Sequence, residues 1–477
     1  MECNRKNTKA MKEHITKHLN AVLLTLATFA VISAIFIAKG SNRSSLLYLS
    51  TSPRLWISGF STLSSSTLVT RRNGSHPNQD WGSGLGTDPG WKRVVKVEKQ
   101  LASARALIRE ALSNPNSSSP LMDKDYVPHG EIYRNPYAFH RSYLLMEKLF
   151  KIYVYEEGEP PMFHYGLCKN IYSMEGLFLN FMENDVVRYR TLDPDEAHVY
   201  FLPFSVVMIL QHLFDPVFRD KGVLERVIVD YIRVVSTKYP YWNTSDGFDH
   251  FMLSCHDWGH RASWYVKKLF FNSIRVLCNA NMSEYFNPVK DAPFPEINLV
   301  TGEITDLTGG LDPVNRTTLA FFAGKLHGKI RPVLLNHWKE KDRDILVYEN
   351  LPDELDYTGM MRKSRFCICP SGHEVASPRI PEAIYAGCVP VLISEYYVLP
   401  FSDVLEWDKF SVWVSVKEIP ELKRILLGIP EDRYRRLYEG VKNVQRHFLV
   451  NDPPKRYDVF NMIIHSVWLR RLNVKLF

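Results

Sequence analysis

The chain has 477 residues, 45% of them hydrophobic, which is enough for two domains with full cores and further segments besides. The formal net charge of +7 sits at the amino end: residues 1–72 hold ten Lys/Arg against two Asp/Glu, and the other 405 hold 49 bases against 50 acids. A near-neutral body lacks the basic footprint that phosphate backbones require, which argues against a nucleic-acid-binding protein.

Residues 19–38, from Leu19 to Ala38, carry no charged side chain and as a helix would span about 30 Å, the hydrocarbon thickness of a bilayer. Arg5, Lys6, Lys9, Lys12 and Lys17 precede the run, whereas only Lys39 and Arg43 follow it closely. The positive-inside rule then keeps residues 1–18 in the cytosol and places the body in the lumen or outside. A cleaved signal peptide has an apolar region of about 7–15 residues, so the length favours an uncleaved anchor. Six cysteines (Cys168, Cys255, Cys278, Cys367, Cys369, Cys388) lie beyond the run and allow three disulfides in pairings that sequence leaves open. The sequons at Asn42, Asn73, Asn116, Asn243, Asn281 and Asn315 fall on the same side and are candidate glycosylation sites.

Residues 39–90 are rich in Ser, Thr, Gly and Asn and read as a stem. Residues 91–112 carry Val94, Val97, Leu101, Ala104, Ile108 and Leu112 near one helical face, which suits a stem helix or a dimerising coiled coil. From about residue 137 strands alternate with helices, the signature of a parallel α/β sheet. Strands are expected at 151–155, 197–203 and 250–254, then at 318–323, 345–348, 365–369, 389–393 and 411–414, with helices between them. Pro and Gly interrupt residues 287–316, giving an α/β domain at 137–300 and a second at 301–430. Two final helices within 431–477 are expected to pack across the body.

The segment from Arg365 to Ser394 reads as strand, loop, helix, strand. Pro378 and Pro381 are tolerated only in a first helical turn, so the helix begins between residues 377 and 381 and ends before Gly387. Arg379 and Glu382 sit at its amino end, where Arg379 suits a diphosphate and Glu382 can accept from ribose hydroxyls. The alternative is an αβ turn in which the two merely pair with each other. Asp193-Pro-Asp and Asp342-Arg-Asp both precede strands, which makes turn chemistry a better reading than a metal site.

The segments Lys151-Ile-Tyr-Val-Tyr, Asp195-Glu-Ala-His-Val-Tyr-Phe-Leu-Pro, Tyr239-Pro-Tyr-Trp-Asn, Asp249-His-Phe, His256-Asp-Trp-Gly, Ala323-Gly and the Arg365–Ser394 stretch resemble the plant exostosin-like glycosyltransferases, glycosyltransferase family 47, over roughly residues 137–450. The resemblance implies a Golgi type II membrane enzyme that inverts a sugar from a UDP-sugar onto a polysaccharide such as pectin or hemicellulose. It implies two facing Rossmann-like domains of the GT-B type with the site in the cleft, the acceptor side amino-terminal and the nucleotide-sugar side carboxyl-terminal. Lys325, Arg331 and Arg379 are then candidates for the leaving diphosphate, and Ser371, Gly372 and His373 for the loop beside it. Glu374 and Glu382 are candidates for base or ribose contact, with Glu382 ranked for ribose. Asp257, with His256 behind it, is the first choice as base. Neither a metal ion nor another cofactor is expected beside the nucleotide-sugar co-substrate. The expected partners are the donor, the polysaccharide, the membrane through residues 19–38, and homo- or hetero-oligomers with other Golgi transferases. A second reading is a catalytically silent Golgi glycan-binding or scaffold protein of the same fold, and a third is a glycoside hydrolase, which would need two facing carboxylates and no nucleotide grip.

Overall fold

The computed structural model describes residues 89–113, 125–185 and 188–476. The expected anchor at 19–38, the stem up to residue 88 and the sequons at Asn42, Asn73 and Asn116 lie outside the described residues.

Two parallel sheets make up the body. The first has β1 (Ile152–Val154), β2 (Arg190–Thr191), β3 (Val199–Phe201), β4 (His250–Ser254), β5 (Ile274–Leu277) and β6 (Ala292–Pro293) in the order β2-β1-β3-β4-β5-β6. The second has β7 (Thr318–Ala323), β8 (Ile345–Tyr348), β9 (Ser364–Pro370), β10 (Val389–Ile393) and β11 (Val412–Trp413) in the order β11-β10-β9-β7-β8. Numbered from its own first strand, each sheet begins 2-1-3-4-5, and the strand order reverses between β1 and β3 and between β7 and β9. Ligands of open α/β sheets collect outside the carboxyl ends of strands at such reversals. Strands β4, β5 and β10 are buried along their whole length, as expected where helices cover both faces of a parallel sheet.

Three strands were not expected from sequence. Strands β2 and β6 have two residues each, too few for a pattern to register. In β5 the apolar run is broken by Arg275, which is 1% exposed. Its guanidinium reaches Asp291 through Nη2 at 2.5 Å and Nε at 3.1 Å.

Two disulfides hold the strand ends. Cys255–Cys278 follows directly on β4 and β5, and Cys367–Cys388 ties β9 to the residue before β10. Cys369 is a free buried thiol, so the six cysteines do not all pair among themselves, which corrects the allowance for three bridges.

Helix Glu431–Phe448 packs on the second sheet, where Tyr385 Oη donates to the Phe448 carbonyl at 2.5 Å and Gln445 Nε2 to that of Ile384 at 2.8 Å. Helix Val459–Asn473 returns to the first sheet: Arg470 Nε donates to the Asp291 carbonyl at 2.7 Å and Arg471 Nε to that of His198 at 2.9 Å. Helix Pro89–Ser113 joins the same body. Of the expected face, Val94, Val97, Leu101 and Ala104 are buried against the body and Ile108 is half-buried, while Leu112 is 51% exposed. Arg93 Nη1 donates to Tyr200 Oη at 2.6 Å, and Glu98 Oε1 accepts from Arg471 Nη2 at 2.6 Å.

Arg471 is 1% exposed and its carboxylate partner sits on the docked helix. Removing one member of a buried pair strands the other charge, at a cost of about 3–5 kcal/mol. Glu98→Ala is therefore expected to lower stability by about that much in chemical denaturation and to open residues 89–113 to proteolysis. The same truncation of the exposed pair Arg226–Asp220, as Asp220→Ala, should cost under about 1 kcal/mol. Equal effects of the two would show that the helix does not depend on this pair.

Candidate functional site

At the strand reversal of the second sheet, β7 ends in Ala323 and runs through residues 324–329 into helix Ile330–Trp338, while β9 ends in Pro370 and runs through residues 371–378 into helix Arg379–Tyr385. These two loops interlock. A Cβ on Gly324 would lie 2.1 Å from Arg379 Nη2, and one on Gly328, at φ +65°, 1.8 Å from the Gly372 carbonyl oxygen, so both approaches require glycine. Arg379 Nη2 donates to the Ala323 carbonyl at 2.8 Å, with the guanidinium 4.9 Å from the centre of the Phe322 ring. Arg331, 8% exposed, donates from Nη1 to the Lys325 carbonyl at 3.3 Å.

Both guanidiniums keep a buried Nε with no partner, and neither forms an ion pair among the described residues. Burial, followed by repulsion from Arg379, lowers the Arg331 pKa to about 10. His327 feels Arg331, His373, Lys325 and Arg379 as well as burial, and its pKa falls. Lys325, His327 and His373 are exposed, and the two imidazoles lie 5.1 Å apart. Arg331, Arg379 and Lys325 thus gather at one place with no carboxylate in salt-bridge contact among the described residues. Arg379 does not pair with Glu382, which answers the alternative of a structural turn. Glu382 instead accepts from Tyr357 Oη at 3.0 Å and Asn298 Nδ2 at 3.4 Å, and burial raises its pKa against the pull of Arg379.

Ser371 requires correction. It is 7% exposed, and its hydroxyl is spent on Ser394 Oγ at 2.6 Å and the Val375 carbonyl at 3.3 Å, so it shapes the loop and has no free donor for a phosphate. Gly372 closes the loop through its amide, which donates to the Glu374 carbonyl at 3.0 Å.

Acidic groups face this pocket from the first sheet and from the segment joining the sheets. The loop after β4 carries His256 and Asp257, both half-buried. His256 stacks on Tyr172 with centroids 4.8 Å apart, and its Nδ1 accepts from the Trp258 amide at 3.0 Å. The neutral ring therefore bears its proton on Nε2, which makes it a donor with no lone pair left for a base. Burial, and after it the charge of Asp257, push the Tyr172 phenol up. Glu374 Oε2 accepts from Asn279 Nδ2 at 2.5 Å, while Asn279 Oδ1 receives the Val375 amide at 3.3 Å, so one side chain from the first sheet fixes the loop of the second. Burial first, then Glu284 and Asp257, push the Glu374 carboxyl up to about 7.

Sequence reasoning missed Glu296, Asn279, Asn298 and Tyr357. Glu296 is 6% exposed, and burial with the charges of Asp257 and Glu382 drives its carboxyl well above the usual range, opposed by Arg379 and Arg331. It lies in Phe294-Pro-Glu-Ile-Asn, which reads as a linker because prolines hide any period. Asp193 and Asp342 do make turns: Asp193 Oδ1 accepts from the Asp195 amide at 2.9 Å and Asp342 Oδ1 from those of Asp344 and Ile345 at 2.8 and 3.0 Å. Among the glycosylation candidates Asn243 and Asn315 are exposed. Asn281 is 9% exposed, with its Oδ1 bonded to Ser283.

Residues 146–429 match the model of the exostosin GT47 domain. A probable glycosyltransferase of Arabidopsis thaliana is 78% identical over 98% of this chain and 100% of its own length. More distant relatives include a probable glucuronosyltransferase of Oryza sativa subsp. japonica, 28% identical over 58% of this chain and 67% of that one. A probable β-1,4-xylosyltransferase of Arabidopsis thaliana is 26% identical over 66% and 81%. A domain match over more than half its length, together with a relative sharing 78% of its residues, makes this chain a member of the exostosin GT47 family of glycosyltransferases.

Proposed function

We propose that the chain is an inverting, metal-independent glycosyltransferase that moves a hexosyl or pentosyl group from a UDP-sugar to a cell-wall polysaccharide such as pectin or hemicellulose. It would work in the Golgi lumen, held by a single-pass type II anchor in residues 19–38, with a GT-B cleft between residues 137–300 and 301–430. The observation that carries the reading is the pair of guanidiniums, Arg331 buried and Arg379 half-buried, each with a buried Nε that has no partner among the described residues. A diphosphate is the anion that such a forked, uncompensated pair accepts. Both disulfides suit an oxidising compartment, and the xylosyl and glucuronosyl activities named for two relatives support a sugar-nucleotide donor.

In this reading Arg379 and Arg331, with Lys325 and His373 at the rim, hold the diphosphate and stabilise the charge that develops as it departs. Glu382, held by Tyr357 and Asn298, receives the ribose hydroxyls. The acceptor oxygen attacks the anomeric carbon from the face opposite the diphosphate. The bond to the diphosphate oxygen breaks with its electron pair, and the acceptor's proton passes to a carboxylate. Glu374 suits that role better than Asp257, because its pKa of about 7 matches the working pH and Asn279 engages only one of its oxygens. Asp257 then acts on Glu374 through its charge.

Calorimetry of the full-length chain against a panel of UDP-sugars tests the grip. One donor is expected to bind, and Arg379→Ala to weaken it roughly hundredfold, about 2.8 kcal/mol. A folded chain that binds none of them, or a variant that binds as well as the parent, would sink the reading.

The base is tested by pH. A group with a raised pKa acts as base only once ionised, so turnover should rise with pH through about 7 and level off above it. Asp257→Asn removes a repulsion, lowers the Glu374 pKa and shifts that limb to lower pH. Glu374→Gln should cost roughly a hundredfold or more in kcat while UDP binding persists. A limb that Asp257→Asn leaves in place would return the role to another group.

A further inference from the structure

Beyond Glu374 the cleft continues outward along a chain of contacts that the donor grip does not use. Asn279 Nδ2, bonded to Glu374, also donates to Glu284 Oε2 at 3.1 Å. That oxygen lies 3.6 Å from His260 Nδ1, and the His260 ring meets Trp264 edge-on with centroids 5.6 Å apart. Here the surface becomes aromatic. Trp264 is 42% exposed, Tyr285 67% and Phe271 65%. The Trp264 and Tyr285 rings stand 6.4 Å apart at 70°. The loop after β10 adds Tyr396, 57% exposed, and the Met282 amide donates to its carbonyl at 3.0 Å, so the loops bearing Tyr285 and Tyr396 run side by side.

Two features set this rim apart from scattered surface apolars. Tyr285 and Tyr396 have φ of +64° and +63°, the left-handed region that bulky residues avoid. Strain of that kind persists where a side chain must be presented in one direction. The rings also stand among polar groups, with Arg261 over Trp264 at 5.7 Å and Glu284 Oε2 3.6 Å from His260, whose ring meets Trp264. Indole and phenol faces are broad, rigid and apolar, and they carry a polar edge. A pyranose ring has the complementary shape: C–H bonds on one face for the aromatic plane, hydroxyls around the rim for the charged groups.

We infer that Trp264, Tyr285 and Tyr396 form a platform for the acceptor polysaccharide, holding the sugar units that precede the one whose hydroxyl reaches Glu374. The inference rests on the glycosyltransferase reading and adds to it the place and direction of the acceptor. The continuity of the rim with Glu374 through Glu284 and Asn279 selects a glycan over a second copy of the chain as the occupant. A self-association patch has no need to lead into the reaction centre.

The test uses the detergent-solubilised full-length chain on an array of xylan, xyloglucan and pectin oligosaccharides, with UDP affinity and molecular mass measured in parallel. The parent chain is expected to capture one class of oligosaccharide. The double variant Trp264→Ala, Tyr285→Ala should weaken that capture roughly tenfold or more, with UDP affinity within twofold, and Trp264→Phe, Tyr285→Phe should restore most of it. Equal capture by parent and alanine variant would overturn the inference. So would a parent that binds UDP but no glycan, or a variant that changes only the oligomer mass. A parent that fails to bind UDP would overturn the glycosyltransferase reading itself, and the two failures are thereby told apart.

Discussion

Two guanidinium groups, Arg331 and Arg379, lie close enough to repel each other, and neither reaches a carboxylate among the described residues. Burying a cation without its counter-charge works against folding, so the surrounding structure has to hold it there. Several features do so. The strand reversal between β7 and β9 brings two strand-to-helix loops to one place, and Gly324 and Gly328 let them interlock. Backbone carbonyls of Ala323 and Lys325 supply partial negative charge but leave both Nε atoms unbonded. Cys367–Cys388 fixes β9 against β10, so the loop bearing residues 371–378 cannot slide away from the cations. In the function proposed above, the donor's diphosphate is what completes the pairing.

The opposite side of the cleft shows the same segregation with the sign reversed. After burial, the charges of Glu284 and Asp257 raise the Glu374 pKa and those of Asp257 and Glu382 raise that of Glu296, which also feels the two arginines. Opposite charges this close would ordinarily be spent on each other in salt bridges. Here Asn279, Asn298 and Tyr357 occupy Glu284, Glu374 and Glu382 with neutral hydrogen bonds, which orient a carboxylate without neutralising it. Cations on one wall and proton-accepting groups on the other are what a displacement with an anionic leaving group requires.

Much of this was legible in the sequence because the second sheet is regular. Its strands at 318–323, 345–348 and 389–393 have the expected bounds, since each is an apolar run closed by Gly, Pro or a charged turn. The helix bearing Arg379 and Glu382 was fixed by Pro378, Pro381 and Gly387, and it lies at Arg379–Tyr385. The first sheet was harder to read, as a buried Arg275 disguises β5 and β6 is one Ala-Pro step. The docking of helix Pro89–Ser113 was invisible for another reason: an apolar stripe states that a face is covered and not by what. Glu296, Asn279 and Asn298 were missed because their importance lies in which groups they meet across the cleft. No local period records that. Ser371 shows the converse, a polar residue well placed in sequence whose hydroxyl the loop itself consumes.

The two walls are held in fixed relation by more than side chains. The Asn281–Tyr397 bridge and the Val398 amide on the Ala280 carbonyl at 3.0 Å join the sheets by backbone, next to the Asn279–Glu374 contact. Helix Val459–Asn473 returns from the second sheet to grip the first through Arg470 and Arg471. Backbone pairing is indifferent to side-chain identity, so the distance between the cationic loops of the second sheet and Asp257 of the first can be kept while nearby side chains vary. Residues that decide which sugar or polymer enters are then free to change on the exposed rims, because they carry no share of the work of holding the walls together. The same two sheets can in this way serve many donors and acceptors. In this chain the exposed rim that leads into Glu374 is aromatic, and on the inference drawn above it would select among sugar rings by their apolar faces.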